Sequence, residues 1–229
     1  MKEIKIRFVV ATRHSRENFF KNTAMGRSLD LYRFPFIELD LYELNTEGLS
    51  RVYNRSIQNA RNNPAILVFA HDDIYLTDFY WADQLINSLE RFDIVGVAGN
   101  KRRVTNQPSW AFIDSNLTWD LPENLSGVVG HGKGFPSCHL SVFGPTCQEV
   151  KLLDGVFIAS HSKLLNDSHI FFDERFDFHF YDLDFCRLAE QKGARMGTWC
   201  ISLIHESGGN FNSPQWQLAK EKYFTKWGG

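Results

Sequence analysis

Three short segments carry residue types that could do chemistry. The first is His71-Asp72-Asp73, which follows the apolar run Ala65–Ala70 (AILVFA) without a break. Adjacent carboxylates repel each other unless they are hydrogen-bonded, protonated or neutralised by a cation. Hard oxygen ligands suit Mg²⁺ or Mn²⁺, and Mg²⁺ is commonly held by one or two carboxylates together with phosphate oxygens. A turn or a helix cap would use the same residues, since Asp favours both. The second segment is Phe180–Phe185 (FYDLDF), which opens a helical pattern. Asp182 and Asp184 are two residues apart, and positions i and i+2 do not share a helix face. One carboxylate can cap the helix while the other looks into a cleft; both are also favourable charges at a helix N-terminus. The third is His205 in His205–Gly209 (HESGG). Imidazole is a common metal ligand, and a lone histidine is equally a surface or satisfied core residue. The remaining histidines show no zinc-ligand spacing, and no HExxH, G-x-S-x-G or phosphate-loop pattern is present.

The elements that must hold these residues alternate. Ile4–Ala11 (IKIRFVVA) reads as a buried strand and Phe36–Leu44 as a second. Leu49, Val52, Tyr53, Ile57 and Ala60 fall on one helix face, and Asn62-Asn63-Pro64 stops that helix. Ala65–Ala70 has strand length and is apolar on both faces. Thr77 or Asp78 can cap a helix carrying Ala82, Leu85, Ile86 and Leu89 inward, and Asp93–Ala98 is a further strand. This alternation predicts an α/β fold with a mostly parallel central sheet flanked by helices. In such sheets ligands bind beyond the carboxyl ends of strands, where His71-Asp72-Asp73 sits. Residues 100–149 are rich in Gly, Pro, Asn and Trp, and predict hairpins and an excursion over a site rather than a bare loop. Further on, Lys151–Ala159 reads as a strand, Ser160 caps a short helix to Asn166, and a helix over 182–192 ends at Gly193. Arg195–Ile204 reads as a last strand, and Ser213-Pro214 starts a terminal helix.

Composition narrows the function classes. The 229 residues carry 25 Lys plus Arg against 27 Asp plus Glu, a net charge of −2, which argues against a nucleic-acid partner. No apolar run approaches the ~18 residues needed to span a bilayer, and no targeting signal is visible. The four cysteines form no CxxC pair and read as reduced thiols of a cytoplasmic protein, with association at a membrane surface left open.

In their order along the chain these segments resemble a GT-A glycosyltransferase of the family-two-like kind. Leu49–Leu76 (LSRVYNRSIQNARNNPAILVFAHDDIYL) resembles that family's helix, strand and metal motif. Leu152–Ala159 (LLDGVFIA), Phe176–Met196 and the His of IHESGG are similar to its acceptor half. The most specific stretch is YDLDFCRLAEQKG, which resembles the family's Glu-Asp-x-Asp-Leu helix start.

The resemblance implies a single Rossmann-like domain over residues 1–229. A donor half covers about 1–100, an acceptor half about 101–212, and a C-terminal helix 213–229. It implies that Asp73 binds a divalent cation, Mn²⁺ or Mg²⁺, with His205 as a further ligand and His71 in place of the motif's first Asp. Asp182 matches the general base, and Tyr181 stands where the family has Glu. Thr12, Arg13, Asn54 and Asp72 fall where the nucleotide is met, and Asp154 and Gly155 on the acceptor side. The implied donor is a nucleotide-diphosphate sugar, UDP-linked by default, and the acceptor a glycan or other hydroxyl compound.

The chemistry is self-consistent. A cation stabilises a departing diphosphate. A positioned carboxylate deprotonates the acceptor hydroxyl, contributing on the order of 10²–10⁴-fold. Asp182, at a helix start, is expected to stay ionised. The 14% aromatic content includes Trp110, Phe112, Trp119 and Phe135 between the metal motif and the base, where Trp110 and Trp119 could form an acceptor platform. Two alternatives remain at this level. One is a binding module of the same fold without catalysis. The other is a nucleotidyltransferase or pyrophosphatase acting on sugar nucleotides.

Overall fold

The computed structural model describes residues 4–228, so the first three residues of the expected donor half and the last of the expected terminal helix lie outside it. The chain opens with β1 (Ile6–Ala11), α1 (Arg16–Asn22), α2 (Ala24–Leu31), β2 (Ile37–Tyr42), α3 (Leu49–Asn59), β3 (Ile66–Ala70) and β4 (Ile74–Leu76). Then come α4 (Trp81–Arg91), β5 (Ile94–Gly96), β6 (Ala98–Asn100), β7 (Leu125–His131) and β8 (His139–Gly144). The rest is β9 (Glu149–Val150), β10 (Leu152–Leu153), β11 (Phe157–His161), α5 (Ser162–Asp167), α6 (Tyr181–Gln191), β12 (Met196–Thr198), β13 (Leu203–His205) and α7 (Pro214–Trp227).

The fold is α/β, as expected, but its sheets are mixed. A seven-stranded sheet runs β2-β1-β3-β11-β5-β12-β9 and a second sheet runs β10-β6-β7-β13-β4, with β8 on β7. In the larger sheet β1 pairs parallel with β2 and β3, and β12 with β5. Strand β11 is antiparallel to both of its neighbours, and β9 to β12. A mostly parallel sheet is therefore corrected to one with equal numbers of each pairing. Strand β11 arrives from the excursion side rather than through a crossover helix, so nothing forces it parallel.

Three expected strands each break in two for one reason: the chain leaves one sheet for the other. Asp93–Ala98 divides at Val97 into β5 and β6, and Arg195–Ile204 divides into β12 and β13. Lys151–Ala159 divides into β10 and β11, with Asp154 and Gly155 in the turn between them. The helices follow their signals more closely. Ser213 caps α7, its hydroxyl accepting from Trp216 N–H at 3.1 Å, with Pro214 in the first turn. Gly193, at φ +80°, takes the left-handed position after α6. Helix α4 starts at Trp81, later than its expected cap, because Asp78 turns back to accept from Tyr80 N–H and Trp81 goes into the core.

A continuous apolar core joins both sheets to the helices. Phe8, Val68, Phe69, Trp81, Phe157 and Ile158 are at most 0% exposed. Each such side chain contributes roughly 1.5–3 kcal/mol by leaving water. This packing fixes the carboxyl ends of β1 and β3 side by side, which is where the candidate site begins.

Candidate active site

The carboxyl end of β3 runs directly into His71-Asp72-Asp73, and β4 follows in the other sheet. The turn therefore spans the junction of the two sheets. Strand β13 pairs antiparallel with β4, setting His205 opposite Ile74, and Glu206 N–H donates to Asp73 O at 2.9 Å. This pairing brings a residue 132 positions downstream of Asp73 against it. One ligand atom each from His71, Asp73 and His205 lies within 4.8 Å of the others. His71 Nδ1 is 3.9 Å from Asp73 Oδ1, and His205 Nε2 is 3.4 Å from Asp73 Oδ2. Ser207 Oγ donates to Asp73 Oδ2 at 2.5 Å.

These residues fit a divalent cation on a structural observation. Asp73 Oδ1 is buried and has no hydrogen-bond partner among the described residues, and an orphaned carboxylate oxygen in protein normally carries a substantial cost. It faces an imidazole nitrogen, and the set of two imidazoles and one carboxylate is a competent donor set for a divalent metal. Burial by itself would raise the Asp73 pKa. The hydrogen bond and charge of His205, the charge of His71 and the Ser207 hydroxyl outweigh it and hold the carboxyl well below the usual range. Burial lowers His71, whereas for His205 the partnership with Asp73 overcomes burial and raises it.

Across the same cavity, α6 begins after Phe180, which sits in a left-handed conformation at φ 65°. Asp182 Oδ1 accepts from Leu183 N–H at 2.9 Å and Oδ2 from Gly155 N–H at 3.0 Å. Among the described residues no cation pairs with it. Burial, followed by the charge of Asp154, pushes its pKa up to about 7. This corrects the expectation that a helix start keeps Asp182 readily ionised: desolvation and a like charge outweigh the helix N-terminus. Asp154 is held in place by Trp110 Nε1–H, which donates to Oδ2 at 2.8 Å, and by Val156 N–H on Oδ1 at 2.9 Å.

The cavity holding both groups has a volume of ≈ 1010 Å³. His71, Asp72, Asp73, Trp110, Trp119, Asp154, Asp182 and His205 all line it. Four other expected residues do not. Thr12 stands one step back, donating from Oγ1 to Asp72 Oδ2 at 2.6 Å. Arg13 is exposed on the loop after β1. Gly155 contributes backbone only, through its N–H to Asp182 and its carbonyl to Tyr181. Asn54 is a correction. Its amide is occupied by the backbone of Phe172, donating at 2.8 Å and accepting at 2.8 Å, and by Glu174 at 3.2 Å. It fastens α3 to the segment before α6 and does not reach the cavity.

The two tryptophans also differ. Trp110 is buried with its indole N–H committed to Asp154, while Trp119 is 54% exposed and stacks on Phe143 at 5.9 Å. Phe135 is 82% exposed and lies away from the cavity. Sequence reasoning missed Ser207, and it missed Phe143, Phe178 and Phe211, which complete the aromatic wall. Their signals were weak: a serine in a Gly-rich turn, and phenylalanines among 20.

The chain resembles the crystal structure of S. aureus TarS with a TM-score of 0.52 at 13% identity, over 97% of this chain and 39% of that one. It also aligns with S. aureus TarS 1–349 in complex with UDP (TM-score 0.49, 13% identity, 90% of this chain and 61% of that one). A third alignment is with GalNAc-T7 crystallised with UDP, GalNAc and Mn²⁺ (TM-score 0.48, 8% identity, 90% and 44%). The chain thus spans about 61% of the shorter TarS structure and 39% of the longer one. No curated protein sequence matches it. The fold is GT-A, as the sequence resemblance implies. A family model for a glycosyltransferase-like family matches residues 11–226, nearly the whole chain, and the chain belongs to that family.

Proposed function

We propose that this protein transfers a sugar from a nucleotide-diphosphate donor to an acceptor hydroxyl in a divalent-metal-dependent reaction. One observation carries the reading. A His-Asp-His group with an orphaned carboxylate oxygen and an unpaired carboxylate poised near neutrality line the same cavity. His71, Asp73 and His205 would hold the cation. When bound, it supplies charge stabilisation to the departing diphosphate. Two imidazoles beside one carboxylate favour Mn²⁺ over the harder Mg²⁺. Asp72, oriented by Thr12, and Arg13 meet the nucleotide.

Asp182 accepts the acceptor's hydroxyl proton. A base with a pKa near the working pH balances being ionised against being strong enough to take the proton. Asp154 tunes that base by its charge, and Gly155 N–H fixes the direction of Oδ2. The open face of Trp119 gives a sugar ring an apolar surface to stack on. In this reading residues 1–100 form the donor half and 101–212 the acceptor half. UDP is the default nucleotide, the acceptor is a glycan or similar hydroxyl compound, and the protein works in the cytoplasm. Among the described residues no helix is long and apolar enough to cross a membrane.

The test is a thermal-shift screen of nucleoside diphosphates and nucleotide sugars with and without Mn²⁺. Ligand at 100 times its Kd stabilises the folded state by about 2.7 kcal/mol. The expected result is a shift that needs both nucleotide and metal and is lost in Asp73→Ala. No metal-dependent shift with any nucleotide would overturn the reading. Release of pyrophosphate or nucleoside monophosphate, rather than nucleoside diphosphate, would reassign the enzyme to another reaction on sugar nucleotides.

A further inference from the structure

The two departures from the family's motif, His71 and Tyr181, meet in the structure. Tyr181 Oη–H donates to the Gly155 carbonyl at 2.8 Å, and the same Oη lies 3.0 Å from His71 Nε2. A tyrosine hydroxyl has one proton, and a carbonyl oxygen can only accept. That proton is committed to Gly155, so the contact with His71 is a hydrogen bond donated by Nε2–H. A neutral imidazole carries one N–H, which leaves the lone pair on Nδ1. Nδ1 is the nitrogen facing Asp73, 3.9 Å from Oδ1.

We propose that Tyr181 is a positioning residue that fixes His71 in the Nε2–H tautomer and thereby presents Nδ1 as a metal ligand. The inference rests on the metal-dependent reading above and adds to it the group that sets one ligand's orientation. Outer partners of this kind determine which imidazole nitrogen binds metal.

Three further features support the arrangement. Tyr181 is 3% exposed, so its hydroxyl meets the Gly155 carbonyl and the His71 imidazole out of contact with bulk water. Phe178 stacks on the His71 ring with centroids 5.8 Å apart and planes 23° apart, which holds the ring plane. Position 155 has no room for a side chain: a Cβ there would collide with the Tyr181 hydroxyl and ring. Glycine at 155 is what lets the phenol reach both the carbonyl and the imidazole.

The first experiment uses the metal-free wild-type protein. ¹⁵N NMR of the histidine side chains, with His71→Gln to assign the signal, should show His71 as the Nε2–H tautomer; an Nδ1–H tautomer would overturn the proposal. The second is Mn²⁺ affinity by calorimetry. Tyr181→Phe should weaken binding about 10–100-fold. In a His71→Asp background, where a carboxylate has no tautomer to set, the same change should alter affinity within about twofold. Equal losses in both backgrounds would reduce Tyr181 to a packing role, and no loss in the wild type would remove it altogether. A wild type that binds no divalent cation would overturn the metal reading instead, and the tautomer measurement would still decide whether Tyr181 sets His71.

Discussion

Asp182 and Asp184 sit on the same turn of α6, two residues apart, and have opposite fates. Asp184 is at 0% exposure, and its Oδ1 accepts from Lys226 Nζ at 2.6 Å and from Trp227 Nε1 at 2.7 Å, both on α7. Burial raises its pKa, and Lys226 and Trp227 pull it back only in part. Asp182 has backbone N–H partners alone and a second carboxylate, Asp154, for a neighbour. A buried carboxylate given a cation fastens two helices. One denied a cation stores a tendency to take up a proton. Residue type and helix turn are shared, so the partner residues, distant in sequence and met on different faces of the helix, decide which aspartate can react.

The largest expected effect breaks the pair apart by rate. Asp182→Asn should lower kcat by on the order of 10²–10⁴-fold while leaving donor binding intact. Normal transfer by this variant would end the base assignment. The same variant should be more stable than the wild type at pH 8. The pKa of Asp182 is raised in the folded protein, so stability is lost as pH climbs from the ordinary carboxylate value of 3.8 to about 7. Asparagine removes that loss, and a Tm gain at pH 8 that vanishes near pH 4 is the signature.

Next in size is Lys226→Ala, which strands Asp184 without its cation. Removing one partner of a buried pair costs on the order of 3–5 kcal/mol, read by urea denaturation. Because Asp184 can protonate, the deficit should be larger at pH 8 than at pH 5. An equal deficit at both would show that α7 is lost as packing rather than as charge.

The finest test concerns Asp154. With Asp182 required as the carboxylate, kcat/KM should rise with pH and level off above about 7. Asp154→Asn removes the like charge, so the acidic limb should move to lower pH. A limb that stays put would assign the raised pKa to burial alone.

This contrast also marks how far the sequence can be read. The spacing of Asp182 and Asp184 already places them on different faces, and the order of strands and helices puts Asp73, His205 and Asp182 around one cleft. Helices α3, α6 and α7 follow from periodicity and end signals within a few residues. Local patterns do not report where the chain changes sheet. The divisions at Val97, after Leu153 and after Thr198 are therefore invisible in apolar runs that look continuous or merely irregular. Helices α1 and α2, of 7 and 8 residues, are too short to show a period. Asn54 counts as a site residue by resemblance alone, and the clamp on Phe172 that occupies its amide spans 118 positions and leaves no local signal. The proton affinity of Asp182 escapes the sequence for the same reason: the helix start is local, whereas Asp154 and the surrounding burial are not.

The crowding around residue 155 also has an evolutionary consequence. The glycine, the phenol and the imidazole form one chain of contacts, in which the bare backbone at 155 leaves room for the phenol and the phenol meets the imidazole. A side chain gained at 155 displaces Tyr181, and a displaced Tyr181 releases His71. Drift at any of the three positions is thus unfavourable alone and tolerable only in company. Among related chains positions 71 and 181 should change together, since a carboxylate at position 71 has no tautomer for a phenol at 181 to set.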